Sequence, residues 1–156
     1  MFFWISSTAK FISIASLIII GLLAGFRQQL NLKRKLYALL VIFGTSSIIT
    51  LVLKRIVLRL RPSIVHHDII ELSKPGLYSF PSGHTTVAFA LSFGMLFLGF
   101  KKSIIFPFFV WAFLTAYSRM VLGAHYPLDV LTAIIISLTV SLFIAFFFRK
   151  WNQKTN

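Results

Sequence analysis

Lys54, Arg61-Pro62, Pro81-Ser82-Gly83-His84, Ser118-Arg119, His125 and Asp129 form a spaced polar set in an otherwise strongly apolar chain. Their types fit phosphoryl transfer. A lysine and two arginines can hold a phosphate, and arginine offers paired N–H donors to two of its oxygens. At a partly dried interface, a charge pair about 4 Å apart is worth about 4 kcal/mol. Two histidines supply candidates for nucleophile and acid–base group, and a carboxylate follows one of them by four residues. The chain has only three acids, Asp68, Glu71 and Asp129. Asp129 falls within a hydrophobic stretch, where a charge is costly and calls for a reason.

Each element of the set has a bland reading beside the chemical one. Pro81 to Thr86 reads as a turn with Ser82 as N-cap, followed by an apolar helix. The free N–H groups at such a helix start attract phosphate, and Gly83 lets a ligand approach the main chain. His84 would then face the bound group and could give a proton to a leaving alkoxide. The same residues alone fit a capped helix carrying a surface histidine. His125 and Asp129 lie one helical turn apart, with Pro127 acceptable in a first turn. A carboxylate bonded to one ring nitrogen fixes the tautomer and frees the other nitrogen to attack. A polar pair that merely caps the helix is the alternative. Arg119 is a lone cation after an apolar run, which marks a functional position by default. Lys54 and Arg61 are balanced between phosphate binding and interfacial snorkelling, whereas Arg55 and Arg59 are read as snorkelling. His66-His67 beside Asp68 is read as solvated, because nothing else supplies metal-ligand spacing.

These residues need a scaffold, and composition says which kind. The 156-residue chain is 58% hydrophobic and 12% charged, with 18 phenylalanines and a mean hydropathy of +0.89. So much apolar area in one domain of this length points to lipid rather than to a water-soluble core. The absence of cysteine excludes disulfides, a thiolate nucleophile and any cysteine-based metal site. The net charge of +13 comes from short clusters between apolar runs, which is the pattern of flanks on membrane helices rather than of a nucleic-acid surface.

Five spans are expected, at residues 11–26, 36–53, 84–100, 104–121 and 128–148, making an all-α integral membrane bundle of a single domain over 1–156. The first is expected to stay uncleaved, since Leu22-Leu23-Ala24-Gly25 lacks a small-x-small site. Trp151 is expected at the interface. Residues 54–80 read as an ordered loop, with a short helix in it. Two crossings separate this loop from the segment carrying Arg119, His125 and Asp129, so the whole polar set falls on one membrane face. Nine of the sixteen basic residues lie on the other face. Setting Lys54, Arg61 and Arg119 aside leaves only four on the site's face, which directs the C-terminus to the cytoplasm and the site outward.

A lysine separated by six residues from Arg-Pro, then Pro-Ser-Gly-His, then Ser-Arg, five residues, His, three residues and Asp resembles the three signatures of the type 2 phosphatidic acid phosphatase family. Lys54, Arg61-Pro62, Pro81 to His84, Ser118-Arg119, His125 and Asp129 fill every signature position, over residues 54–129. The resemblance implies that His125 is the nucleophile forming a phosphohistidine and that Asp129 orients it. His84 would be the acid for the leaving group and then the base for water. Lys54, Arg61, Ser82, Gly83 and Arg119 would bind the phosphate oxygens, with no metal or other cofactor. Integral members usually have six spans where five are counted here, which puts the N-terminus on the site's face.

By the same resemblance the protein is a phosphatase of lipid phosphates or diphosphates in the bacterial inner membrane, active at the extracytoplasmic surface and with no nucleic-acid partner. Polyprenyl diphosphate and phosphatidylglycerophosphate are the favoured substrates. Transfer of the phosphoryl group to another lipid, and lipid binding without turnover, are the alternatives. A pure binder would need the cations but neither histidine.

Overall fold

The computed structural model describes residues 2–26, 30–66, 68, 69 and 76–154. Arg27, His67, Glu71, Lys74 and Pro75, all weighed from sequence, lie outside them. Among the described residues six helices follow in order: α1 (Phe2–Phe26), α2 (Leu30–Val57), α3 (Pro62–Val65), α4 (Gly83–Phe97), α5 (Lys102–Val121) and α6 (Pro127–Lys154). Every expected span has its helix, and the short helix expected in the 54–80 loop is α3. The protein is an all-α membrane helix bundle.

Lipid shapes the outer faces. Phe11, Ile56, Phe106, Phe143 and Phe146 are among the large apolar side chains left exposed on α1, α2, α5 and α6. They cover those helices with the surface that a hydrocarbon solvent favours. Among the described residues three helices, Leu30–Val57, Lys102–Val121 and Pro127–Gln153, are long and apolar enough to cross a bilayer. The apolar parts of α1 and α4, Phe11–Leu23 and Gly83–Phe97, are shorter.

α4 is short because it sits in the middle. It packs against α1, α2, α5 and α6, and Thr85 to Ser92 are buried without interruption. Such a helix must present small or hydrogen-bonding side chains to its neighbours. Gly94 is one, since a Cβ there would come within 2.7 Å of Leu39 Cδ2 on α2. Thr86 is another. Its hydroxyl pairs with that of Thr50 on α2 at 3.0 Å, and its carbonyl accepts a bond from Ser137 Oγ of α6 at 2.9 Å. Bonds of this kind contribute about 0.6 kcal/mol each in membranes, so they fix α2, α4 and α6 in register more than they hold them together.

α2 begins at Leu30, six residues ahead of the span expected at 36–53, and takes in Lys33-Arg34-Lys35. The helix continues through these cations, and two of them find partners at the bundle end. Arg34 donates to Asn152 Oδ1 at 3.1 Å and lies over the Trp151 ring, and Lys35 donates to the Gly99 carbonyl. Arg149 donates to the Phe97 carbonyl. Lys35 and Arg149 thus cap the negative end of α4, whose positive end lies at the opposite pole of the bundle.

Candidate active site

That opposite pole gathers the C-terminal ends of α2 and α5 and the N-terminal ends of α4 and α6. Main-chain hydrogen bonds lock these ends together. Ser82 N–H, just ahead of α4, donates to the Asp129 carbonyl of α6 at 3.1 Å. Ser63 N–H of α3 donates to the Gly123 carbonyl. α5 ends in a Schellman turn, in which Gly123 N–H bonds the Met120 carbonyl and Ala124 N–H the Arg119 carbonyl. His125 N–H reaches that same Arg119 carbonyl at 3.2 Å. The helix cap therefore sets the spacing between Arg119 and His125.

This turn depends on Gly123, which has a φ of 64° and no room for a side chain, because a Cβ would clash with Ile69 Cγ2. Gly123→Ala is expected to cost about 1–3 kcal/mol from the left-handed backbone alone. Thermal unfolding in detergent checks it, with wild-type stability as the contrary outcome.

His125 is 3% exposed. Arg61 Nη1 stands 3.5 Å from its Nε2. A guanidinium can only donate, so Nε2 is the acceptor, and in the neutral ring the proton sits on Nδ1. Nδ1 faces Asp129 Oδ2 at 3.7 Å, an electrostatic contact longer than a hydrogen bond. Asp129 is fully buried; its Oδ2 accepts from Tyr126 N–H at 2.9 Å and its Oδ1 from Arg59 Nη1 at 3.1 Å. Burial pushes the His125 imidazole down from its ordinary 6.5 to about 4. The positive charges of Arg61, Arg119 and Lys54 act the same way, and the Asp129 carboxylate opposes them. At neutral pH the ring is uncharged, with an unprotonated Nε2 turned toward the cations.

The other predicted residues surround this ring. Arg61 is buried and donates to the carbonyls of Gly76 and Ala124. Lys54 Nζ donates to the carbonyls of Tyr78 and Ser79, which fold the loop back toward Pro81. Arg119 is buried in the last turn of α5. Ser82 is the N-cap of α4 as expected, but its hydroxyl pairs with Thr85 Oγ1 at 2.9 Å instead of with a backbone N–H. A Cβ at Gly83 would meet nothing within 4 Å, so the start of α4 is open to a ligand. His84 is half-buried in the first turn of α4, at the same pole as His125. His66 is exposed.

One residue is corrected. Arg59, read as a snorkelling cation, instead pairs with Asp129 and lies over the Tyr126 ring, its carbon Cζ 4.0 Å from the centroid. A signal for this was present in the alternation Arg59-Leu60-Arg61. Leu60 bridges Tyr78 in extended backbone, and residues two apart on such a segment point the same way.

The profile of the family described as PAP2 superfamily matches residues 35–153. The chain is similar to undecaprenyl-diphosphatase BcrC of Bacillus subtilis, 39% identical over 95 residues, which is 60% of this chain and 45% of that protein. It is 36% identical over 97 residues to phosphatidylglycerophosphatase B of Haemophilus influenzae, covering 56% and 38%. With lipid A 4'-phosphatase of Bacteroides thetaiotaomicron it shares 34% over 90 residues, covering 54% and 40%. The chain spans less than half the length of these curated relatives. Among solved structures, it is similar to Aquifex aeolicus LpxE, with a TM-score of 0.76 and 28% identity over 92% of this chain and 82% of that one. The transmembrane PAP2-type phosphatidylglycerolphosphate phosphatase of Bacillus subtilis gives 0.78 and 27%, over 96% and 75%.

Proposed function

The chain belongs to the PAP2 superfamily, and from that premise we propose that it is a membrane phosphatase hydrolysing lipid phosphate or diphosphate esters at the bilayer surface. One observation carries the reading. A buried, uncharged His125 is held with Nδ1 toward Asp129 and Nε2 toward Arg61, amid the charges of Arg119 and Lys54.

In this reading Lys54, Arg61, Arg119, the Ser82 hydroxyl and the Gly83 N–H receive the phosphate oxygens. Nε2 attacks phosphorus as the bond to the lipid oxygen breaks, and His84 gives that oxygen its proton. The product is a phosphohistidine, whose positive ring Asp129 stabilises. His84 then takes a proton from water, which attacks phosphorus, and the P–N bond breaks to release inorganic phosphate and neutral His125. The cations are worth most as charge develops in the transition state, where they need no reorganisation.

The lipid class follows from the relatives, which are named for undecaprenyl diphosphate, phosphatidylglycerophosphate and lipid A. Polyprenyl diphosphate and phosphatidylglycerophosphate are favoured. The orientation proposed is with the site on the extracytoplasmic face of the inner membrane. In its support, Lys33, Arg34, Lys35, Lys101, Lys102, Arg149 and Lys150 mark the far pole, as cytoplasmic ends are marked.

The deciding experiment is phosphate release from a panel of purified lipid phosphates in detergent, with chelator present and in isotopically labelled water. Label in the released phosphate identifies hydrolysis. No release from any lipid, or strict dependence on added magnesium, defeats the proposal. The lowered His125 value adds an expectation for pH. Loss of kcat/KM through His125 protonation is centred near pH 4, so on acidification this histidine holds activity through the range where an ordinary imidazole would lose it. A His125-dependent fall centred on 6.5 contradicts it.

A further inference from the structure

We propose that Arg59 is a positioning residue of this site, pairing with Asp129 so as to set the carboxylate that orients His125. This rests on the reading of His125 as nucleophile. The two oxygens of Asp129 are held from different sides, Oδ1 by Arg59 Nη1 at 3.1 Å and Oδ2 by Tyr126 N–H at 2.9 Å. Together they fix the rotation of the carboxylate and hence the edge it turns to Nδ1. Because the guanidinium also lies over the Tyr126 ring, Arg59 grips the entry and the first turn of α6 at once.

The main chain is arranged to deliver it there. Leu58, the residue after α2, has a φ of 50°, a left-handed conformation that a leucine adopts only under constraint. The chain is thereby redirected after α2. Ser79 N–H then clamps the Arg59 carbonyl at 2.7 Å, and Ser79 Oγ reaches it at 3.2 Å. A cation that served only to snorkel would need neither the turn nor the clamp. The side chain of Arg59 is 36% exposed, so solvent screens the pair, and its value lies in geometry more than in stability.

The consequence is electrostatic. His125 is faced by Asp129 from α6, by Arg119 from α5, by Lys54 from α2 and by Arg61 ahead of α3, with His84 in the first turn of α4 at the same pole. Arg59 engages the carboxylate and leaves Nδ1 at 3.7 Å from it. Without Arg59 the carboxylate is free to turn the wrong edge to Nδ1, which misaligns the ring for attack at neutral pH, and the loss of a nearby positive charge favours the imidazolium on acidification.

The test compares Arg59→Gln and Arg59→Lys with wild type and His125→Ala, across pH, on one lipid phosphate that the wild type hydrolyses. Arg59→Gln is expected to lower kcat by about 10- to 100-fold, to leave KM within about twofold, and to move the acid limb up by about one pH unit. Arg59→Lys keeps the charge and should restore the limb, while recovering only part of kcat because it lacks the planar fork. A wild-type limb and kcat in Arg59→Gln overturn the assignment, and so does an effect confined to KM, which would make Arg59 a substrate contact. Should Arg59→Gln fail to fold, Tyr126→Leu removes the ring beneath the guanidinium but keeps the backbone N–H. The same signs are expected of it, and wild-type behaviour there counts against the proposal. Turnover surviving in His125→Ala would instead defeat the reading of the site itself.

Discussion

His125→Ala is expected to abolish phosphate release while the protein still inserts and folds. Removing a nucleophile that works as one unit with its acid and its orienting carboxylate costs on the order of 10⁶ in kcat, or about 8 kcal/mol of barrier. The geometry argues for the high end. Lys54, Arg61 and Arg119 around His125 have protonated heads that donate only. The Asp129 carboxylate is engaged by Arg59 and the Tyr126 N–H, and His84 has the leaving group's proton to supply. Folding should survive because the main-chain bonds of this segment do not use the imidazole. His125 N–H bonds the Arg119 carbonyl, Tyr126 N–H bonds Asp129, and Arg61 keeps its bond to the Ala124 carbonyl. The measurement pairs phosphate release with thermal unfolding in detergent. A folded variant that still releases phosphate at more than a trace rate would remove His125 from the nucleophile's role.

How much of this could be read from the chain alone depends on how each residue is placed. Lys54, Arg61, Ser82, Arg119, His125 and Asp129 were legible because helix ends and tight turns fix them, so sequence spacing translates almost directly into spatial order. Counting crossings then put them at one pole, and the hydrogen bonds that tie the start of α4 to the start of α6 agree. Arg59 was not legible in this way. An arginine near a helix end has the same composition whether it reaches into headgroups or folds back on a carboxylate. What separates the two is the backbone at Leu58 and the clamp from Ser79 twenty residues on. The start of α2 was missed for a related reason. Lys33-Arg34-Lys35 looks like a break in hydropathy, but long aliphatic stems continue a helix readily when Asn152, Trp151 and Gly99 wait at the far end of other helices. The central place of α4 was visible only faintly, in the Gly, Ser and Thr that interrupt its apolar run.

Asp129→Asn separates the two things that a carboxylate does here. The amide has nearly the same shape and is buried in the same place, so the bonds at Oδ1 from Arg59 and at Oδ2 from Tyr126 N–H can be met by only one oxygen, and one donor must face an NH₂. The charge opposite Nδ1 is gone as well. If Asp129 acted only by tuning the protonation of His125, its loss would leave the ring still more easily deprotonated. Activity at neutral pH would then be preserved, with the acid limb moved below about 4. If it acts by holding the proton on Nδ1 and steadying the positive ring of the phosphohistidine, kcat should fall at every pH, by about 10⁴ by analogy with carboxylate-to-amide changes in nucleophilic triads. The second outcome is expected. The 3.7 Å separation in the resting protein leaves the contact weak before reaction, and attack at phosphorus puts a positive charge on the ring that the carboxylate can then draw in. The interaction is therefore stronger in the transition state than in the ground state, which is the condition for it to appear in kcat rather than in KM. Near-wild-type kcat at pH 7 in a folded Asp129→Asn enzyme would reduce the carboxylate to a helix cap.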